Sequence, residues 1–226
     1  MSDDGHSDRG TLVWDAPLRM FHWLLAATIA VSLYTGLVGG FEEMDWHQRA
    51  GYVALGLIGF RLLWGVFGPR HARFTSFVGG PGRALAYARA MASRRPPRQA
   101  GHNPLAAWTI CLTLLAIGLQ AVTGLFATDD LFVEGPLFHL VDADTASTMT
   151  TVHHWGQWTV GGLVALHLVA IAVHRFAFGE RIVGPMITGR SADLPPGDGI
   201  DGQRLPLAIV LAGAVAGLVW YVVTQL

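Results

Sequence analysis

The sequence predicts an all-α integral membrane protein, a four-helix transmembrane bundle followed by a fifth, C-terminal transmembrane helix. Three observations carry this. Of 226 residues, 52% are apolar and only 14% charged, whereas a soluble domain carries about 25% charge. Mean hydropathy is +0.42. Five stretches, roughly 18–39, 47–67, 104–126, 152–176 and 206–226, reach the length of about 20 mostly apolar residues that crosses a bilayer. The same arithmetic excludes a disordered chain and a disulfide scaffold. A net charge of −1 leaves no basic excess for a nucleic-acid partner.

The elements follow in chain order. Residues 1–17 form a polar tail without the basic start and cleavage site of a secretory signal, so the first apolar run is expected to stay in the mature protein. None of the five spans contains Asp or Glu, and the third and fifth carry no charge. Asn103 followed by Pro104 reads as an N-cap with proline at the first helical position. Residues 82–95 read as an amphipathic surface helix or as a solvated Arg-rich linker. Residues 18–190 form the expected membrane domain, and 191–205, rich in Pro and Gly, a flexible linker to the last helix at 206–226. There is no strand-like alternation and no internal repeat.

Arginine gives an expected orientation. Segment 68–103 holds Arg70, Arg73, Arg83, Arg89, Arg94, Arg95 and Arg98 and no acid. Arg181, Arg190 and Arg204 follow the fourth span. The loops at 40–46 and 127–151 hold only acids (Glu42, Glu43, Asp45, Asp129, Asp130, Glu134, Asp142, Asp144) and no arginine. The positive-inside rule then places the N-terminus in the cytoplasm and, with five spans, the C-terminus outside.

Cys111 is the single cysteine, which excludes an internal disulfide, a four-cysteine cluster and covalent C-x-x-C-H haem attachment. Histidine is the informative residue. Six of ten lie in or at the ends of spans: His22, His47, His153, His154, His167 and His174. The others (His6, His71, His102, His139) read as ordinary polar tail or loop residues. Ionisable side chains in a bilayer are rare and mark function. His153 and His167 are 14 residues apart, about 21 Å along a helix and within about 40° of one face. His22 matches His167 in depth, and His47 matches His153. Two stacked His–His pairs suit two haems with two imidazole ligands each. The rival readings are interhelical hydrogen bonding and a haem-free metal or proton transporter. The transporter is disfavoured because the spans contain no carboxylate.

Small residues (Gly36, Gly51, Gly56, Gly161, Gly162) leave room either for a flat macrocycle or for close helix packing. Arg61 lies 14 residues after His47, and Arg19 one turn before His22. A buried arginine needs an anion, and a haem propionate would serve both. For Arg19 the alternative is snorkelling to the membrane surface.

Four stretches together resemble the bacterial di-haem cytochrome b561 family, which includes the b-type cytochrome subunits of nickel–iron hydrogenases. They are VWDAPLRMFHW (13–23), WHQRAGYVALGLIGFRLLWGVFGPRHARF (46–74), GHNPLAAW (101–108) and VHHWGQWTVGGLVALHLVAIAVHRF (152–176), with MITGR (186–190) behind them. The resemblance implies a four-helix core in the bacterial inner membrane holding two non-covalent haems b. Its axial ligands fall on His22, His47, His153 and His167. The family's fourth-helix motif reads His followed by Glu, whereas here His154 takes the second place, leaving His153 and His154 as competing outer ligands. The helical face prefers His153, which lies nearly in line with His167, whereas His154 points about 100° away and is expected to cap the outer helix end, hydrogen-bond a propionate or face the acidic loop.

The implied function is transmembrane electron transfer between the quinone pool and a partner protein, expected to be an outer-side redox protein such as a periplasmic c-type cytochrome. Alternatives are the membrane anchor of a hydrogenase or dehydrogenase and a superoxide-oxidising quinone reductase. The fifth span lies outside the resemblance.

Overall fold

The computed structural model describes residues 10–94, 101–129, 132–192 and 194–226. In chain order the elements are β1 (Thr11–Leu12), α1 (Ala16–Val38), α2 (Phe41–Phe67), α3 (Phe74–Phe77), α4 (Pro81–Ala92), α5 (Pro104–Gly124), α6 (Ala143–Ala177), α7 (Val183–Thr188), β2 (Arg190–Ser191) and α8 (Leu205–Gln225). Among the described residues, α1, α2, α5, α6 and α8 are long and apolar enough to cross a membrane.

Two of the five exceed the expected spans. α2 begins six residues early, at Phe41, and α6 nine residues early, at Ala143. The added turns are polar and stabilised as helix rather than as membrane span. Glu42 and Glu43 in the first turn of α2 complement its positive dipole end. Asp142 caps α6: its Oδ1 accepts from the Thr145 backbone N–H at 2.8 Å and its Oδ2 from the Thr145 hydroxyl at 3.1 Å. Those bonds hold the Asp142 carboxyl below the usual carboxylate range. The acids expected in the loop at 40–46 therefore belong largely to a helix. Between α1 and α2 lie only Gly39 and Gly40, both at positive φ (69° and 106°), the left-handed stop that glycine allows. α5 starts as expected, with Asn103 Oδ1 accepting from Ala106 N at 2.8 Å. The amphipathic segment is helical as α4, with Tyr87 buried. Arg95, Arg98, Asp130, His6 and the rest of residues 1–9 lie outside the described residues.

The chain divides into two compact units. The first comprises Met1–Met20, Leu63–Ile110 and Leu166–Ala208. It is fastened by a small antiparallel clasp absent from the sequence reading: β1 pairs with β2, Thr11 opposite Ser191 and Leu12 opposite Arg190. Val13 and Trp14 N–H both donate to Gly189 O, at 2.8 and 3.1 Å. Gly189 is at φ 84°, and a Cβ there would meet Trp14 O at 2.9 Å, so this turn requires glycine. The stretch expected as a flexible linker is pinned to the clasp. The Thr11 hydroxyl donates to Leu194 O (2.8 Å), Ile200 N to Leu12 O (2.9 Å) and Ala16 N to Gln203 Oε1 (3.0 Å). Asp15 is buried and caps α1 through Leu18 N at 2.9 Å, while its Oδ1 also accepts from the indole N–H of fully buried Trp64 at 3.0 Å.

The second unit comprises Phe21–Leu62, Cys111–Ala165 and Ile209–Leu226. Here α8 approaches α2 closely, since a Cβ on Gly59 would lie 2.9 Å from Val215 Cγ1. Large apolar side chains such as Tyr34, Leu37, Trp155, Trp158 and Ile209 face outward. Lipid tolerates that exposure, and water penalises it.

Candidate haem-binding site

Two histidines of the second unit are held in the same way. His47, on α2, has Nδ1 2.9 Å from the Ser32 carbonyl of α1. A carbonyl only accepts, so Nδ1 carries the proton and the Nε2 lone pair of the neutral ring is left for a metal. The Thr35 hydroxyl lies 3.4 Å from Nδ1 and donates to Val31 O at 2.8 Å. One residue on, a Cβ at Gly36 would stand 2.9 Å from His47 Cε1, so the ring rests where that position has no side chain.

His153, on α6, repeats this against α5. Its Nδ1 lies 2.9 Å from Gln120 O, the Thr123 hydroxyl is 3.4 Å from Nδ1 and donates to Leu119 O at 2.8 Å, and a Cβ at Gly124 would stand 2.9 Å from His153 Cε1. In addition the Gln120 side chain donates from Nε2 to His153 O at 2.9 Å.

The two rings meet with nearly perpendicular planes, at 86°, and centroids 5.9 Å apart. Two imidazoles on opposite sides of one metal ion would have centroids about 6 Å apart, from metal–nitrogen bonds of about 2 Å and about 1 Å more to each ring centre. Both rings line one cavity of about 350 Å³ in the second unit, walled by apolar side chains such as Ile29, Leu33, Ile117 and Val160. Ligand pockets run from about 300 to 1,000 Å³, mostly apolar with a few convergent polar groups. The residues present therefore fit an iron porphyrin held through two neutral imidazoles.

A family model for prokaryotic cytochrome b561 matches residues 13–189. The chain belongs to the prokaryotic cytochrome b561 family. Relatives include a probable Ni/Fe-hydrogenase B-type cytochrome subunit of Cupriavidus necator, 26% identical over 82% of this chain and 88% of its own length. One of the same name from Azotobacter chroococcum is 28% identical over 78% and 86%. The probable Ni/Fe-hydrogenase 1 B-type cytochrome subunit of Escherichia coli K12 is 23% identical over 78% and 88%. No solved structure matches the chain significantly. As a b561-family cytochrome, the protein is a multi-pass membrane protein that transfers electrons through b-type haem. α8 begins beyond the matched residues.

The structure sorts the other expected residues of this cytochrome. His22 is half-buried in the second unit, edge-on to Trp23 with centroids 5.0 Å apart. His167 belongs to the first unit and is exposed. His154 is exposed and lines the His47–His153 cavity. Arg61 is 2% exposed. Arg19 donates from a terminal guanidinium nitrogen to Ile187 O and lies against Gly189, which fastens the start of α1 to α7. Of the five glycines expected to make room, Gly36 serves His47, a Cβ at Gly56 would lie 3.9 Å from Val219 Cγ2, and Gly51, Gly161 and Gly162 have open space.

The remaining histidines among the described residues have packing partners. His174 is buried, and its Nδ1 lies 2.7 Å from Glu180 Oε2. Burial and the Glu180 charge push the nearby Tyr87 hydroxyl up to about 12. His71 is buried with Nε2 donating to Asp198 O at 2.7 Å, and His102 packs tilted against Trp14 with ring centroids 4.6 Å apart. His139 Nε2 donates to Leu226 O at 2.8 Å.

Ser32, Thr35, Gln120, Thr123 and Gly124 were not singled out from the sequence. A signal was present. SLYTG at 32–36 and QAVTG at 120–124 share Thr at the fourth place and Gly at the fifth, each on the helix preceding a histidine-bearing one. Two shared residues in five are too few to stand out as an internal repeat.

Proposed function

We propose that this cytochrome binds two haems b, one between His47 and His153 and the other between His22 and His167, and moves electrons across the bacterial inner membrane between the quinone pool and a partner protein. The observation that carries the reading is the His47–His153 pair, 5.9 Å apart with both Nδ1 atoms committed to carbonyls. For His22 and His167 the support is depth. His167 lies about 21 Å along α6 from His153, so a ligand reaching iron over about 2 Å must come from the matching level of another helix.

Bound haem supplies a one-electron carrier that cycles between ferric and ferrous iron. His22, His47, His153 and His167 would hold the two haems through neutral imidazole nitrogens, and iron held by two imidazoles would serve electron transfer and not oxygen binding. Buried Arg61, half-buried Arg19 and exposed His154 would offer positive charge or N–H donors to propionates. The N-terminus is cytoplasmic and the C-terminus periplasmic, as the arginine distribution favours. A hydrogenase or similar dehydrogenase is the favoured partner, because the relatives are named as hydrogenase cytochrome subunits; a periplasmic c-type cytochrome is the second reading. Exposed acids Glu42, Asp45, Asp129, Asp142 and Asp144 of the second unit favour a partner with a basic docking face.

The test is a pyridine haemochrome assay of the purified protein against its mass. Two haems per chain are expected, and a ratio near one or nought overturns the reading.

A further inference from the structure

We propose that Gln120 is a positioning residue for the outer-haem ligand, fixing the ring of His153 and thereby setting the redox potential of that haem apart from the other. The inference rests on His153 being an iron ligand.

Gln120 and His153 exchange two hydrogen bonds in opposite directions. The imidazole Nδ1–H donates to the Gln120 backbone carbonyl, and the Gln120 Nε2 donates back to the His153 backbone carbonyl, both at 2.9 Å. This closes a ring of contacts between α5 and α6 that fixes their register at the ligand. His153 lies inside α6, where its carbonyl is already an acceptor for the helical N–H four residues on. The carbonyl therefore needs no second donor, and satisfying the backbone does not explain the glutamine. The other end of the amide confirms that the side chain is not there for its own comfort. Gln120 Oε1 is buried and, among the described residues, has no hydrogen-bond partner, a penalty that a leucine would avoid. Gly156 makes the placement possible, since a Cβ there would run into Gln120 Oε1.

His47 lacks this second bond. Its Nδ1 meets Ser32 O at 2.9 Å, but among the described residues no side chain bonds back to the His47 backbone. The hydrogen bond at Nδ1 tunes how strongly Nε2 donates to a metal. By tying α5 to α6 at this point, Gln120 holds the Nδ1–H···O contact in place, which keeps the imidazole electron-rich, favours ferric iron and lowers the potential.

Two variants test this on the full-length, haem-loaded protein by redox titration and low-temperature EPR. Gln120→Leu removes the donor at similar volume. Gly156→Ala displaces the amide from the opposite side, and the fold tolerates it because the atom to be moved is the end of a flexible chain. In both, one of the two redox components is expected to shift to higher potential with a changed low-spin EPR signal, while the other component is unmoved. Loss of one haem with retention of the other also supports the proposal. Unchanged midpoints and signals in both variants overturn it, as does an equal shift of both components, which would mean general loosening. A wild-type protein without two haems fails the reading of the previous subsection instead, before either variant is made.

Discussion

The seats of His47 and His153 are built alike by stretches of chain that differ in almost everything else. In each, one helix offers a backbone carbonyl, a threonine three residues on and a glycine four residues on. The threonine hydroxyl also leans on that same carbonyl, at 3.4 Å for Thr35 on Ser32 O and 3.2 Å for Thr123 on Gln120 O. The glycine lacks the Cβ that would shield the carbonyl from the side, so an imidazole can reach an acceptor already used within the helix. The routes to the histidines are unlike. Gly36 and His47 are joined across a turn of two glycines, whereas Gly124 and His153 are separated by an irregular loop and the polar start of α6. The seat is thus a property of residue types at three positions on one helix and a histidine on the next. The loops have only to deliver the histidine at the right height. What differs is the first side chain, serine in one seat and glutamine in the other.

The largest effect should come from removing either ring. His47→Ala and His153→Ala are each expected to reduce haem from two per chain to one and to erase the same spectral component, while His154→Ala keeps both haems. Loss of different components in the two variants would break the pairing, and loss of a haem in His154→Ala with retention in His153→Ala would move the ligand by one residue.

Smaller, and a sharper test of equivalence, is filling the glycines. A methyl at Gly36 or Gly124 must intrude to 2.9 Å from an imidazole carbon, and overpacking of this kind costs about 1–3 kcal/mol. Thermal melts of the haem-loaded protein should fall for both variants by comparable amounts. A melt unchanged in only one of them would show that the two seats are not equivalent.

The smallest effect is expected from Thr35→Val and Thr123→Val. Both hydroxyls bond mainly to their own helix and touch Nδ1 only at 3.4 Å, so stability should change by less than about 1 kcal/mol with unaltered absorption spectra. A larger loss would mean that the hydroxyl, and not the carbonyl, holds the ring.

Hydropathy and histidine depth were enough to read five helices and the pair that meets across the cavity, because burying apolar area in lipid and exposing imidazole there are both strongly constrained. The helices α2 and α6 start before the spans read at 47 and 152, for a related reason. A hydropathy window registers membrane thickness and is blind to helix continued in water by Asp142 or by acids at a dipole end. The carbonyls of Ser32 and Gln120 could not be read at all, since a backbone acceptor has no residue signature, and Gln120 in an apolar run reads as generic interhelical glue. The Thr–Gly echo was visible but acquires meaning only once each glycine is seen under a ring. Residues 191–203 looked loose because of their prolines and glycines. Strands of two residues show no alternation, so the clasp that organises them leaves no periodic trace.

That clasp also has a schedule. Thr11 pairs with Ser191, which a ribosome working at about 5–20 residues per second delivers roughly ten to forty seconds later. Every residue lining the His47–His153 cavity, ending with Val160, is synthesised before β2. Cofactor loading at that pair can therefore precede closure of the clasp during biogenesis, and a chain truncated before Arg190 would retain the complete lining of one ligand pocket while leaving the backbone of β1 without its partner strand.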